Sequence, residues 1–154
     1  MKTTFVVEAT GSGVKAVRLA STKDRRRSNS RGAGEQRWQG IAQREMSAYF
    51  AGRLRSFSAP CDLDGLPPFT RAVLKITAQI PYGEVRSYRW VANKLGKPRA
   101  SRAVGNALAR NPIPIIIPCH RVVRSDGAIG GFALGRNWKR RLLQLETKSG
   151  PIPG

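Results

Sequence analysis

The stretch SYRWVANKLG, residues 87–96, runs through KPRA (97–100) into SRAVGNALARNP (101–112). Ser87 is a residue type whose side-chain oxygen caps a helix start. Tyr88, Val91, Ala92 and Leu95 then recur at spacings of three and four, which is one apolar stripe of a helix, and Gly96 is a C-terminal stop. Ser101 is placed to cap a second helix with Val104, Ala107 and Leu108 inward. Asn111-Pro112 ends it, because the residue before proline is pushed out of the α region. Two short helices joined by a three-to-four-residue turn form a helix-turn-helix pattern; an αα-hairpin inside a core has the same periodicity. Arg102, Gly105, Asn106 and Ala109 share the outward face of the second helix. Three of these four are small or short, so the backbone there could approach a groove floor closely.

Charge bears on the choice. Residues 85–125 contain no Asp or Glu against nine Lys and Arg, and the whole chain of 154 residues carries 28 Lys+Arg against 9 Asp+Glu, a formal charge of +19. Such an excess neutralises phosphates and releases their counterions, so it favours a nucleic acid over a membrane surface or mere solubility. A hydrophobic fraction of 40% is enough to build a core. Two cysteines, Cys61 and Cys119, and one histidine are too few for a disulfide scaffold or a structural zinc site. With no apolar run of about 18 residues and no signal-peptide pattern, the expectation is a soluble intracellular protein without metal or membrane attachment.

Upstream, Phe5-Val6-Val7 and residues 14–19 are β-prone runs around Gly11-Ser12-Gly13, a hairpin signal. Residues 21–37, with Arg25-Arg26-Arg27, read as a polar basic loop. Trp38, Ile41, Ala42, Glu45/Met46, Tyr49 and Phe50 then fall on one helical stripe. Residues 59–68, rich in proline, separate an N-terminal domain (1–58) from a C-terminal one (69–154), with Cys61 a spare thiol in the connector. Residues 69–80 form an amphipathic helix, and Glu84-Val85-Arg86 a short strand. The apolar run 113–117 delivers Pro118-Cys119-His120-Arg121 to a turn. The last helix spans residues 137–146, with Trp138, Leu142 and Leu145 inward and Lys139-Arg140-Arg141 outward. The fold class is α/β (α+β).

The one histidine stands next to one of two cysteines. The thiolate is the nucleophile, and a neighbouring imidazole or guanidinium lowers the thiol pKa. Adjacent side chains in an extended segment point apart, so a water would bridge Cys119 and His120, with Glu146 the candidate carboxylate orienting the ring. A structural buried thiol and a surface imidazole are the plain alternatives.

Pro118-Cys119-His120-Arg121-Val122, preceded by Asn111-Pro112-Ile113-Pro114 and followed by Gly127 and Gly130-Gly131, resembles the active-site segment of the O6-alkylguanine-DNA alkyltransferases. Phe69-Thr70-Arg71-Ala72-Val73, Pro81-Tyr82-Gly83-Glu84-Val85, Ser87-Tyr88, Arg102-Ala103-Val104-Gly105 and Leu142-Leu143-Gln144-Leu145-Glu146 fall in that family's order and spacing. The resemblance, over about residues 69–147, implies a ribonuclease-H-like N-terminal domain and a mainly helical C-terminal domain with a winged helix-turn-helix. It implies a cofactor-free protein, monomeric or cooperative on DNA, cytoplasmic at the nucleoid or nuclear. Its partner would be duplex DNA containing O6-alkylguanine, with O4-alkylthymine a further candidate. The flipped base would lose its alkyl group irreversibly to Cys119, once per molecule.

In family terms Cys119 matches the acceptor, His120 the base acting through water, Glu146 the orienting carboxylate and Asn111 the hinge. Arg102 matches the residue that fills the stack, among DNA contacts that include Ser101, Gly105, Asn106 and Ala109. Tyr88 matches a tyrosine that donates to the guanine, and the backbone at Cys119 and Val122 would accept from its amino group. Phe132-Ala133 stand where many members have Tyr-Ser, so a stacking ring remains without its hydroxyl and only the Ala133 N–H is left to meet O6. Three rivals remain: a lesion binder without repair activity, although such relatives typically replace the cysteine; a cysteine hydrolase; and a basic nucleic-acid-binding protein with an incidental Cys-His pair.

Overall fold

A computed structural model describes residues 5–20 and 32–148. The chain divides into two compact units, Met1–Asp64 and Gly65–Gly154. Both helix and strand are present, an α+β composition. Among the described residues no helix is long and apolar enough to cross a membrane. The Arg25–Arg27 run lies outside the described residues.

In the first unit, β1 (Phe5–Thr10) and β2 (Gly13–Leu19) pair antiparallel with Val7 opposite Val17. The two-residue connection, Gly11-Ser12, matches the hairpin expected from alternating β-prone runs. Val7, Ala9, Val14 and Val17 are buried. Helix α1 spans Ala33–Phe50 and buries Ala42, Met46 and Tyr49. The basic loop expected through residue 37 therefore stops earlier. Ala33, Glu35 and Gln36 are good helix formers, and Glu35 lies in the first turn, where the helix dipole favours an anion. No apolar period marks that turn, so sequence periodicity begins only at Trp38.

The first half of the expected connector is held rather than free. Val14 N–H donates to Pro60 O at 2.8 Å and Asp62 N–H to Val14 O at 2.7 Å. Only glycine fits at position 13, because a Cβ there would stand 2.4 Å from Pro60 O. The Cys61 thiol is consequently half-buried, and burial pushes it up to about 11.

In the second unit, α2 (Pro68–Thr77) starts with proline at its first position, where the missing N–H costs nothing. The helix ends three residues before the expected Ile80, which is itself buried in the following turn. β3 is Arg86–Ser87 rather than 84–86, because the Glu84 N–H closes a turn on Pro81 O and pairing begins only where Arg86 meets Val122. β4 (Val122–Val123) runs parallel to it. α3 (Tyr88–Lys94) begins as expected, with the Trp90 N–H donating to Ser87 Oγ at 2.9 Å. α4 (Ser101–Ala109) does not use Ser101 as its cap. A turn from Lys97 to Ala100 makes the Ala100 carbonyl accept the first helical bond, from Val104 N–H, which leaves Ser101 one position inside. α4 packs on both α2 and α3.

Residues 111–118 form a buried apolar loop. Asn111 ties it, its Nδ2 donating to Ile117 O at 3.2 Å and its Oδ1 accepting from Ile113 N–H at 2.9 Å. Ile115 is held at φ 76°, rare for a β-branched residue. The loop leads into a 3-10 turn at Cys119–Arg121, and α5 (Arg136–Lys148) packs on that turn.

Candidate active site

Cys119 and His120 lie in a 3-10 turn, as expected of the segment that follows the apolar run, and not in extended backbone. Both are buried, at 3% and 0% exposure. From α5, Glu146 meets His120 Nε2 at 2.6 Å through Oε2. Arg121 donates to the same carboxylate twice, from Nε to Oε1 at 2.9 Å and from Nη2 to Oε2 at 3.0 Å. Its third arm, Nη1, donates to Ile80 O at 2.7 Å, and the Gly83 N–H donates to Glu146 Oε1 at 3.2 Å. Burial alone would raise the Glu146 pKa; the bonds from His120 and Arg121 outweigh it and hold the acid at about 2. An ionised carboxylate only accepts, so His120 carries its proton on Nε2. Burial keeps the imidazole neutral, lowering its pKa against the pull of Glu146, with Arg121 and Lys139 adding to the lowering. His120 Nδ1 is left as a buried side-chain polar atom with no hydrogen-bond partner among the described residues.

The thiol itself is not activated at rest. Burial pushes Cys119 up to about 11, although hydrogen bonding from Asn111 and from the Ala133 backbone, and the charge of Lys139, pull the other way. This corrects the expectation that the neighbouring imidazole and guanidinium lower it. Arg121 spends its charge on Glu146, and desolvation dominates at a site this enclosed.

Lys139, expected on the outer face of α5, is fully buried. Its Nζ donates to Val122 O at 2.6 Å and Gly131 O at 3.0 Å, and lies 3.5 Å from Tyr88 Oη. Burial brings its pKa down to about 8. The run Lys139-Arg140-Arg141 disguises it, but the spacing 139, 142, 146 puts Lys139 on the same stripe as Leu142 and Glu146, a signal present in the sequence. The Val122 carbonyl, expected to accept from guanine, already accepts from this lysine and keeps one lone pair free. Burial is also the main reason the Tyr88 pKa is raised, with the nearby Cys119 charge second. Phe132 stands edge-on to the His120 ring, centroids 6.2 Å apart and planes at 81°.

Outside this buried cluster lies a groove of about 680 Å³. α4 lines one side with Ser101, Arg102, Gly105, Asn106 and Ala109, all five of the expected DNA-facing positions. Tyr88, Gly130 and Gly131 also line it, together with Arg89, Arg124 and Arg136, which belong to no recognisable motif. Gly130 takes φ 74°, and a Cβ there would stand 2.6 Å from Tyr88 Oη, so only glycine lets this loop lie against the tyrosine. The geometry thus joins a buried thiol, a neutral base with one bare nitrogen and a fixed carboxylate, next to a cationic groove.

Residues 68–148 match the profile of the DNA-binding domain of 6-O-methylguanine DNA methyltransferase. A methylated-DNA–protein-cysteine methyltransferase of Methanosarcina barkeri is 51% identical over 108 residues, 70% of this chain and 68% of that protein. The protein of the same name from Mycobacterium tuberculosis is 48% identical over 107 residues, 70% of this chain and 64% of its own. The crystal structure of Mycobacterium tuberculosis OGT in complex with DNA superposes with a TM-score of 0.78 at 38% identity, covering 96% of this chain and 89% of that one.

Proposed function

The chain belongs to the 6-O-methylguanine DNA methyltransferase family, and from that premise we propose that it repairs O6-alkylguanine in duplex DNA by moving the alkyl group onto Cys119. The observation that carries the chemistry is the buried 2.6 Å contact between His120 and Glu146, which leaves Nδ1 without a partner in the residue next to Cys119.

A thiol at about 11 is four pH units from ionising at neutrality, a cost on the order of 5 kcal/mol. A preformed thiolate is therefore scarce, and the proton must leave as the reaction proceeds. His120 takes it through Nδ1, by way of a bridging water, while Glu146 stabilises the imidazolium that forms. The sulfur attacks the alkyl carbon in line, a C–S bond forms, and the C–O6 bond breaks. Its electron pair stays on guanine, which recovers a proton. A thioether does not hydrolyse, so each molecule acts once and needs no cofactor. Lys139 and the N–H groups around the sulfur stabilise the charge that develops there.

Tyr88 and the backbone at Cys119 and Val122 hold the flipped base, with Phe132 and Ala133 closing the pocket. Access to the thiol requires the base to leave the stack, at a few kcal/mol per step. α3 and α4 serve as a helix-turn-helix whose second helix lies in the minor groove. Gly105 and Ala109 allow the close approach, Ser101 and Asn106 contact the strand, and Arg102 fills the vacated stack. Asn111 ties α4 to the active-site loop as a hinge. The second unit is the DNA-binding and acceptor domain, and the first has a ribonuclease-H-like origin. O4-alkylthymine is a further candidate substrate, and the protein acts on DNA as a monomer or cooperatively.

The test is incubation with an O6-methylguanine duplex, followed by mass spectrometry of the peptide containing Cys119. That peptide should gain one methyl group. Methyl loss from the DNA must also stop at one equivalent and vanish in Cys119→Ala. Turnover beyond one equivalent would indicate a hydrolase instead, and binding without methyl loss a non-repairing DNA binder.

A further inference from the structure

Glu146 is a buried carboxylate with two basic neighbours, and their arrangement decides which of them supplies the countercharge. Arg121 holds both oxygens, from Nε at 2.9 Å and Nη2 at 3.0 Å. The guanidinium cannot rotate away, because Nη1 is bonded to Ile80 O at 2.7 Å and its carbon lies 5.6 Å from the centre of the Tyr82 ring. Arginine stays charged under any condition a folded protein meets. His120 reaches only Oε2, through one nitrogen.

We infer that Arg121 is a positioning residue for the transfer reaction: by neutralising Glu146 it keeps His120 uncharged, with the proton on Nε2 and Nδ1 bare. This rests on the function proposed above. One carboxylate in a low-dielectric site stabilises one cation strongly. With Arg121 in place the pair is complete, and a protonated imidazole would be a second buried cation. Without Arg121, Glu146 needs a partner, and His120 supplies it by holding protons on both nitrogens. An imidazolium has no lone pair for the thiol proton, so the base would be lost although every atom of it remained.

The charged groups that act on this imidazole are Glu146 and Lys139 from α5 and Arg121 from its own turn, where Cys119 is its titratable neighbour in sequence. α2, which packs on the same turn, buries Val73, Leu74 and Thr77, none of which ionises. Lys139 acts in the same direction as Arg121, but its ammonium is bonded to Val122 O and Gly131 O. The sign follows: removing Arg121 raises the His120 pKa, and the base form is then lost at every pH below the new value.

Because the chain has a single histidine, ¹⁵N-histidine NMR reports this ring alone. In the unreacted wild-type protein at pH 7 we expect one protonated and one bare ring nitrogen. Two protonated nitrogens there would overturn the inference with no variant needed. In Arg121→Gln the ring should be doubly protonated at pH values where the wild type is neutral. The acid limb of single-turnover methyl transfer at saturating DNA should move up by about one pH unit or more, so that at pH values below the wild-type limb the variant is slower by about tenfold or more. Arg121→Lys keeps the cation and should keep the neutral ring. If Arg121→Gln is merely slower at all pH values, with the wild-type tautomer, Arg121 is structural and the inference fails. A wild-type protein that takes up no methyl group would refute the repair function, while the NMR would still decide the tautomer.

Discussion

Replacing Lys139 by methionine separates activity from stability in a way that only its burial explains. The ammonium is fully buried and its pKa falls from 10.5 to about 8. A lowered lysine pKa means that the folded state disfavours the charged form. The penalty is fully present below about pH 8 and disappears as pH rises towards 10.5. Its size, about 2.5 pH units, is on the order of 3 kcal/mol. Methionine removes it and fills similar volume. Against that, Val122 O and Gly131 O are deprived of their donor, at roughly 1–3 kcal/mol each. The two effects are of equal size, so Lys139→Met should unfold within about 2 kcal/mol of the wild type at pH 7. Its relative stability should worsen towards pH 10, where the wild type no longer bears the charging penalty. Methyl transfer should fall much further, roughly 10- to 100-fold, because Lys139 is one of the groups that pull the Cys119 pKa down and the sulfur would lose that charge. Urea unfolding at pH 7 and pH 10, beside single-turnover transfer from a methylated duplex, measures both. A variant that transfers at the wild-type rate, or one that is destabilised by more than about 5 kcal/mol at pH 7, would refute the reasoning.

Glu146→Gln leaves Arg121 as an unpaired buried cation, so it should destabilise by about 3–5 kcal/mol at neutral pH. Because Glu146 is held at about 2, its stabilising contribution is complete above its ordinary 4.5 and is lost as pH falls through about 2, so the gap to wild type in urea titrations should narrow below pH 4. Arg136→Ala should lower the slope of log affinity against log salt for undamaged duplex by about 0.9, as expected when one DNA phosphate is no longer neutralised; an unchanged slope would take Arg136 out of the DNA footprint. Both thiols lie near 11, and Cys119 is the more enclosed, so a small electrophile at pH 7.4 should label Cys61 at least as fast as Cys119 in the folded protein. Faster labelling of Cys119, measured by peptide mapping, would mean that its thiolate preexists.

Elements with strong local signals are readable in the chain. The hairpin around Gly11-Ser12, the Ser87 cap and the end of α4 before Asn111-Pro112 all depend on residues within a few positions of one another. Where sequence and structure part, the causes are alike. Ser101 fails as a cap because the turn at 97–100 supplies Ala100 O first, and α1 begins at Ala33 because its first turn carries no apolar residue to show a period. The Cys119–His120 adjacency and the turn after the apolar run are visible in the chain, but the buried geometry of that turn is not, because it depends on α5 packing against it. Lys139 escapes notice because a run of three basic residues resembles a solvated face, whereas helical spacing aligns it with Leu142 and Glu146.

The sequence by itself determined most element types and the family, and it singles out Cys119 and Glu146 as the residues we propose for alkyl acceptor and orienting carboxylate, since each is written in residue identity and spacing. Tertiary structure alone decided the electrostatic state of those residues. Cys119 rests as a thiol, His120 is neutral with Nδ1 bare, Glu146 is ionised, and Lys139 is buried. Each state depends on how much water is excluded and on partners distant in the chain, such as Asn111 and Lys139 for Cys119, Arg121 for Glu146 and Tyr88 for Lys139. Desolvation is a property of the closed site as a whole, and no local pattern of residues encodes it.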